Sequence, residues 1–343
     1  MPTDNNLSDV LAPPRLMTLE RHIIEGERKH PEATGAFTSL LSDLSLAAKV
    51  VWKEVSKAGL VNILGATDDE NVHGEVRKKL DVYANETIYR AMDHGGHLCI
   101  MASEESGGLM KIPDQYEKGK YVMLFDPLDG SANIDANINI GTIFSIFMRK
   151  SASGDGTMED LLQPGHQLAA AGYILYGSST MFVYSTGNGV HGFTLDPSVG
   201  EFLLSNENMR IPEKGKEYSV NEGNYNKWDK KVQRVFDYFK EIDPETGRPY
   251  SLRYIGTMVA DFHRILLYGG LFAYPPDKKN KEGKLRLTYE CIPLSFLAEH
   301  AGGKAIDGEM RILDKQPTDI HQRTPIYFGS KKDVETVERL LKE

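Results

Sequence analysis

Only two cysteines occur in 343 residues, Cys99 and Cys291, so no disulfide framework can hold this chain together. No apolar run approaches the roughly 18 residues that a membrane helix needs. The start, Met1-Pro2-Thr3-Asp4-Asn5-Asn6, lacks a basic region followed by an apolar core, and a cytoplasmic location is expected. Basic blocks are missing too. With 40 Lys and Arg against 49 Asp and Glu, the formal charge is −9, which excludes nucleic acid as a partner. What remains is ordinary for a globular protein, 40% hydrophobic and 26% charged, and long enough to bury a large core in two domains or one big one.

Helical spacing of Leu40, Leu41, Leu44, Ala47, Ala48, Val51 and Val55 predicts a helix over 39–59. A second, over 76–93, carries Leu80, Ala84, Ile88 and Met92 on one face, and both helices are expected to precede the first strands. Strands follow at 97–102, 121–125, 140–148, 167–176, 180–185 and 190–195, with a flexible loop at 151–157. Beyond Glu201-Phe202-Leu203-Leu204 the texture changes to helices at 228–240, 257–268, 293–300 and 332–342 among short strands at 271–274, 285–288, 304–306 and 326–328. This order predicts a layered α/β architecture, with a domain boundary near residue 200 and a small-molecule site between the parts.

The chemistry concentrates in Asp126-Pro127-Leu128-Asp129-Gly130-Ser131, two carboxylates on a turn punctuated by Pro and Gly after the apolar run Tyr121–Phe125. Pro fixes the backbone and Gly lets it come close to a ligand, so both carboxylates and the Leu128 carbonyl can converge on one hard cation such as Mg²⁺. Glu104-Glu105 follows another apolar run, and Glu290 sits in Leu287-Thr288-Tyr289-Glu290-Cys291. Acids at the ends of apolar strands need cationic partners, and a metal cluster supplies them. Cys99 and Cys291 beside these acids read as small buried residues.

The run Leu124 to Asp135, followed by Ile140-Gly141-Thr142-Ile143-Phe144, resembles the signature of the class I fructose-1,6-bisphosphatase family. The resemblance continues through Asn71–Glu75, Lys78–Asp81, Ser103-Glu104-Glu105, Tyr218–Gly223, Arg253–Asp261 and Leu285–Cys291. Inositol monophosphatases and related Li⁺-sensitive phosphatases share the Asp-Pro-x-Asp-Gly turn. Their late Trp-Asp element is not matched by Trp228-Asp229-Lys230-Lys231.

The resemblance implies an α-β-α-β-α fold of two mixed sheets between helices. Residues 1–200 would carry a regulatory AMP site and the metal site, and 201–343 would bind the sugar bisphosphate. It implies Mg²⁺-dependent hydrolysis of fructose 1,6-bisphosphate in gluconeogenesis by a homotetramer. Two or more Mg²⁺ per subunit, replaceable by Mn²⁺, would be held by Glu104, Asp126, the Leu128 carbonyl, Asp129, Glu290 and, more peripherally, Glu75. Asp81 and Glu105 would orient and deprotonate water. Asp129, Gly130, Ser131 and Ala132 would receive the phosphate to be cleaved. Asn221, Tyr254, Tyr268 and Lys278 would grip the sugar and 6-phosphate, with Arg253 entering from a neighbouring subunit.

The same resemblance places AMP at Thr34, Gly35, Thr38, Lys120 and Tyr121, although Met148 stands where the family often carries an arginine. Taken singly, some of these residues read otherwise: Asp81 as a solvent-facing helix acid, Tyr268 as a core tyrosine, Lys278 as part of a solvated charge run and Thr34 as a helix cap. Sedoheptulose-1,7-bisphosphatase remains the enzymatic alternative. An AMP-sensing or partner-binding protein without catalysis is the alternative from another class.

Overall fold

The computed structural model describes residues 16–28, 35–57, 60, 66–70 and 76–343. Two strands, β1 (Ala66–Glu70) and β2 (Val76–Lys78), form a small antiparallel ladder. They lie between helices α2 (Ala36–Val55) and α3 (Lys79–Met92), so the two helices do not both precede the first strands as expected. A further helix, α1 (Leu19–Glu27), was not foreseen; the Thr18 hydroxyl caps it by accepting from the Arg21 N–H.

Eight strands make the large sheet: β3 (Leu98–Ser103), β4 (Met110–Lys111), β5 (Tyr121–Asp129), β6 (Ile140–Met148), β7 (Leu168–Tyr176), β8 (Thr180–Ser185), β9 (Val190–Asp196) and β10 (Glu201–Met209). Their order is β10-β9-β8-β7-β6-β5-β3-β4, parallel at β3–β5 and antiparallel elsewhere. The edge strand β10 escapes a reading by alternation because its Leu203-Leu204 and Asn206 register slips along β9.

After β11 (Glu217–Ser219), helix α4 (Lys230–Lys240), β12 (Ser251–Leu252) and helix α5 (Met258–Tyr268) come β13 (Leu271–Tyr274), β14 (Leu285–Arg286), helix α6 (Ile292–His300), β15 (Lys304–Ile306), β16 (Arg323–Thr324), β17 (Ile326–Gly329) and helix α7 (Lys331–Lys342). The second sheet, β12-β11-β13-β17-β15, is also mixed, and β14 pairs with β16 separately.

Three apolar clusters show how the layers stack. One joins α1, α2 and α3 to one face of the large sheet through Leu41, Leu44, Met123 and Phe125. The next, holding Val122, Leu124, Phe262, Leu297, Phe272 and Phe328, fills the space between the sheets around α5 and α6. The third packs α4 and α7 on the outer face of the small sheet through Phe236, Tyr218, Tyr327 and Val337. These are five layers, α-β-α-β-α. Strand alternation sends Val122 and Leu124 to the inter-sheet side of β5, and Asp126 continues that series.

The expected loose loop at 151–157 is tied down. Arg149 donates to the Ser151 carbonyl and hydroxyl and to the Gly154 carbonyl. Asp160 accepts from the N–H groups of Lys150, Ser151 and Thr157, which hold its carboxyl below its usual range despite the cost of burial. Trp228 and Asp229 serve structure: the ring packs on Phe236 and the carboxylate caps α4.

The fully buried Tyr173 of β7 shares a 2.6 Å hydrogen bond with His263 Nδ1 on α5, and burial lowers the imidazole to about 4. An unfolded histidine titrates near 6.5, so folding expels its proton between these values, and stability present above pH ~6.5 is lost as pH falls through ~4. His263→Gln keeps an acceptor for Tyr173 without a titration. In denaturant unfolding, the variant's stability relative to wild type should rise by about 2 kcal/mol between pH 7 and pH 5. Parallel pH profiles would contradict this.

Candidate active site

Strand β5 carries its acids on a bulge. Asp126 pairs with Ile143 and Asp129 with Gly141, so β5 advances three residues while β6 advances two. Pro127 has no N–H to give the ladder, and its carbonyl accepts from the Thr142 hydroxyl at 2.8 Å. The slack brings both carboxylates to one side. Glu290 joins them from a π-helical turn, Leu287–Cys291, that feeds into α6. A strand had been expected over 285–288; β14 ends at Arg286, and the wide turn then points Glu290 inward.

Asp126, Asp129 and Glu290 are all buried, and each offers an oxygen within 4.8 Å of the others. Backbone N–H groups orient each carboxylate: Leu128 to Asp126 at 3.0 Å, Val259 to Asp129 at 2.6 Å with Met258 beside it, and Arg286 to Glu290 at 2.6 Å. Burial, then the charges of Glu104, Asp129 and Glu290, hold Asp126 well above the ordinary carboxylate range. Burial raises Asp129 to about 7, and burial with Glu104 raises Glu290 to about 8. Glu104, whose N–H bonds to the Phe125 carbonyl, faces the same group and pairs with Arg286 at 2.9 Å.

An all-carboxylate donor set, each oxygen within reach of the other two, suits a hard cation such as Mg²⁺. Leu128 is buried in the same turn. Glu75 lies outside the described residues.

Asp81 overturns the solvent-facing reading. It is 3% exposed, its Oδ2 accepts from the Lys78 N–H at 3.1 Å, and burial with the Glu105 charge raises it to about 7. The first turn of α3 points across at the Ser103-Glu104-Glu105 corner rather than outward, which helical periodicity alone does not reveal.

Gly130, at φ +80, must lack a side chain, since a Cβ there would meet the Thr257 hydroxyl at 2.3 Å. It opens a 3₁₀ turn, Ser131–Ala136, so Ser131 and Ala132 begin at the acid cluster. Asn133 fastens this turn to Thr257 at 2.8 Å and to the Gly256 carbonyl at 3.2 Å.

Asn221 bonds to Tyr254, whose hydroxyl burial raises to about 12, with Tyr274 and Asp129 nearby. Asn221 and Tyr274 line one small cleft with Trp228. Tyr268 does not join them. It is 61% exposed, under the Arg264 guanidinium at 5.1 Å. Ten residues along α5 from Met258, it sits roughly 15 Å from the helix start beside Asp129. Lys278 is exposed in a loop organised by Asp277, its N–H bonded to the Lys227 carbonyl, and Arg253 is exposed, donating to the Leu252 carbonyl.

Sequence reasoning therefore missed Tyr274 and Arg286. A cation between two leucines, four residues before Glu290, was the available signal for the latter.

The second expected site gathers elsewhere. Gly35, at φ +75, caps α2, and the Thr38 hydroxyl donates to Glu27 at 2.7 Å. Lys120 lies 5.4 Å from the Tyr121 ring, and Tyr121 pairs with Met148 across β5 and β6. Arg149 is committed to the 151–154 loop and does not replace the arginine missing at Met148. Thr34 lies outside the described residues. A cavity of about 410 Å³ lies far in sequence from both groups, lined by Lys214, Tyr238, Arg248, Tyr250, Asp333 and Arg339 among others. Its Lys214, Arg248, Lys332 and Arg339 all have protein partners, so it presents no free cationic set.

Fold and acids together define a layered α/β protein with a buried carboxylate cluster able to hold a metal ion. The families described as "Fructose-1-6-bisphosphatase, N-terminal domain" and "Fructose-1-6-bisphosphatase, C-terminal domain" match residues 17–207 and 211–342. A fructose-1,6-bisphosphatase class 1 from Chloroherpeton thalassium is 56% identical over 325 residues, covering 94% of this chain and 93% of that protein. Among solved structures, Leishmania major fructose-1,6-bisphosphatase in holo form aligns at TM-score 0.90 and 40% identity, covering 96% of this chain and 100% of that one. The same enzyme in the T-state aligns at TM-score 0.86 and 39% identity, with coverage of 96% and 100%. The chain belongs to the fructose-1,6-bisphosphatase family.

Raised carboxyl pKa values give the metal-free protein a defined pH response. Asp81, Asp129 and Glu290 bind protons when folded that they lose when unfolded, so stability declines as pH rises from about 4 through 7–8. A divalent cation held by Asp126, Asp129 and Glu290 would take the place of their protons and lessen that decline. Thermal unfolding with a chelator should fall in midpoint between pH 6 and pH 8.5, and the rise in midpoint on adding Mg²⁺ should be larger at pH 8.5. A metal effect independent of pH would contradict the assignment.

Proposed function

We propose that this protein hydrolyses D-fructose 1,6-bisphosphate to D-fructose 6-phosphate and phosphate with Mg²⁺. The observation that carries this reading is the convergence of buried carboxylates from β5, the Glu104 corner and the π-turn at one end of a site whose other end holds Asn221 and Tyr254. Its relatives bear the same activity in their names.

In this reading Glu104, Asp126, the Leu128 carbonyl, Asp129 and Glu290 hold the cations, two or more per subunit, with Mn²⁺ able to substitute. Bound there, the cations supply Lewis-acid stabilisation of charge and a more acidic water. The residues provide the rest. Asp81, raised by burial and Glu105, is poised near neutrality and accepts the proton of the attacking water with Glu105 beside it. The N–H groups of Ser131 and Ala132 receive the transferring phosphoryl group at the start of the 3₁₀ turn.

Arg286 offsets part of the carboxylate charge, so a dianion can approach. Asn221, Tyr254 and Tyr274 hold the sugar end, and Arg253, exposed beside β12, is available to a neighbouring subunit in a homotetramer. The chain divides near residue 200 into a regulatory part that carries most of the metal-site acids and a sugar-binding part that adds Glu290 to them.

AMP regulation is the finer proposal. An AMP phosphate at the start of α2 has to displace the Glu27 carboxylate from Thr38, without the cation absent at Met148. Inhibition should therefore need high AMP.

Phosphate release from fructose 1,6-bisphosphate should require Mg²⁺, and Asp126→Asn should lower kcat by about 10³-fold or more. AMP should inhibit only when concentrated, and replacing Met148 by Arg should sharpen its effect. Undiminished turnover by Asp126→Asn would overturn the mechanism. Preference for sedoheptulose 1,7-bisphosphate in kcat/KM would favour the other sugar.

A further inference from the structure

One carboxylate outside the metal centre links both ends of the site. Asp261, 1% exposed in the first turn of α5, accepts side-chain hydrogen bonds from two separate segments. Its Oδ1 accepts from the Ser219 hydroxyl at 2.6 Å and the Ile255 N–H at 3.1 Å, and its Oδ2 accepts from the Gly256 N–H at 3.0 Å. Ser219 ends β11 two residues before Asn221, and Ile255-Gly256 directly follow Tyr254.

The same helical turn reaches the acid cluster through other atoms. The Val259 N–H fixes Asp129 at 2.6 Å, and Thr257, fully buried, abuts Gly130 and accepts from Asn133. Asp261 itself bonds back to the Thr257 carbonyl through its N–H. One turn thus clamps the sugar-end segments with a side chain and the metal-end turn with its backbone. If these contacts served packing alone, a neutral residue would suffice, because burying a carboxylate costs free energy unless its oxygens are fully engaged.

We propose that Asp261 is a positioning residue that sets the spacing between the metal-holding turn and the Asn221–Tyr254 end, and so tunes the site to the length of a sugar bearing a phosphate at each end. This rests on the proposed bisphosphatase activity. Asp261→Asn leaves one of the Ile255 and Gly256 N–H groups facing an amide donor, which frees the Tyr254 segment while Val259 still holds Asp129. Ser219→Ala releases only the β11 side and gives a milder version should the first variant fold poorly.

The test has a binding arm and a turnover arm. Calorimetry without divalent metal compares fructose 1,6-bisphosphate with fructose 1-phosphate, and kinetics with saturating Mg²⁺ uses the same pair. Asp261→Asn should weaken bisphosphate binding about tenfold and raise its KM similarly, with kcat within about twofold. The loss on fructose 1-phosphate should be at least about fivefold smaller. Ser219→Ala should show the same asymmetry at about threefold.

Equal losses on both ligands, or none on either, would overturn the positioning role. Wild-type protein that binds the bisphosphate with the predicted asymmetry in its variants but releases no phosphate would leave Asp261 in place and remove the activity. Wild-type protein that does not bind the bisphosphate would remove both.

Discussion

Three buried carboxylates that repel one another are the constraint around which this molecule is organised. Asp126, Asp129 and Glu290 come from two distant parts of the chain and stand within 4.8 Å, each with an oxygen engaged by a backbone N–H. Those N–H groups belong to the bulge of β5, the first turn of α5 and the strand end before the π-turn. Without a cation the group resists ionisation, as the elevated carboxyl pKa values express. The arrangement is stable as a protonated set or as a set of metal ligands, and the fold supplies rigid supports for either.

The layers explain how such a cluster is tolerated. Asp126 continues the inter-sheet face of β5, where α5 and α6 pack between the two sheets. Both helices therefore bring their starts to the same region, α5 with backbone donors and α6 with the π-turn that carries Glu290. Helix N-termini favour negative charge, so the layer between the sheets offsets part of the repulsion. Arg286 adds a full positive charge against Glu104. Catalytic geometry and architecture thus depend on the same few turns.

Much of this was legible in the residues. The Asp-Pro-Leu-Asp turn after an apolar run identifies its own chemistry, because Pro127 interrupts the β5 ladder and Gly130 opens the next turn, which brings two carboxylates together where an unbroken strand would part them. The strands β3 and β5 to β9 of the large sheet were equally plain, since their apolar runs are bounded by turn residues, whereas β10 was not. Other features depend on tertiary contact. Asp81 sits one place off its helix's apolar stripe, and only the approach of the Glu104-Glu105 corner makes that position buried. The π-turn is hidden because a widened turn has no period of its own. Tyr274 and Tyr268 are both tyrosines at the ends of apolar elements, and sequence spacing does not tell which one the fold delivers to Asn221. The 151–157 segment has the composition of a loose loop, but Asp160 and Arg149 occupy its backbone groups.

The most direct measurement is a crystal of the protein grown with Mn²⁺, with anomalous scattering recorded at the manganese edge. The account predicts at least one strong peak with carboxylate oxygens of Asp126, Asp129 and Glu290 around it at ordinary metal–oxygen distances, and the Leu128 carbonyl in the same shell. Manganese bound only elsewhere, with these three side chains keeping their spacing around ordered water, would contradict it.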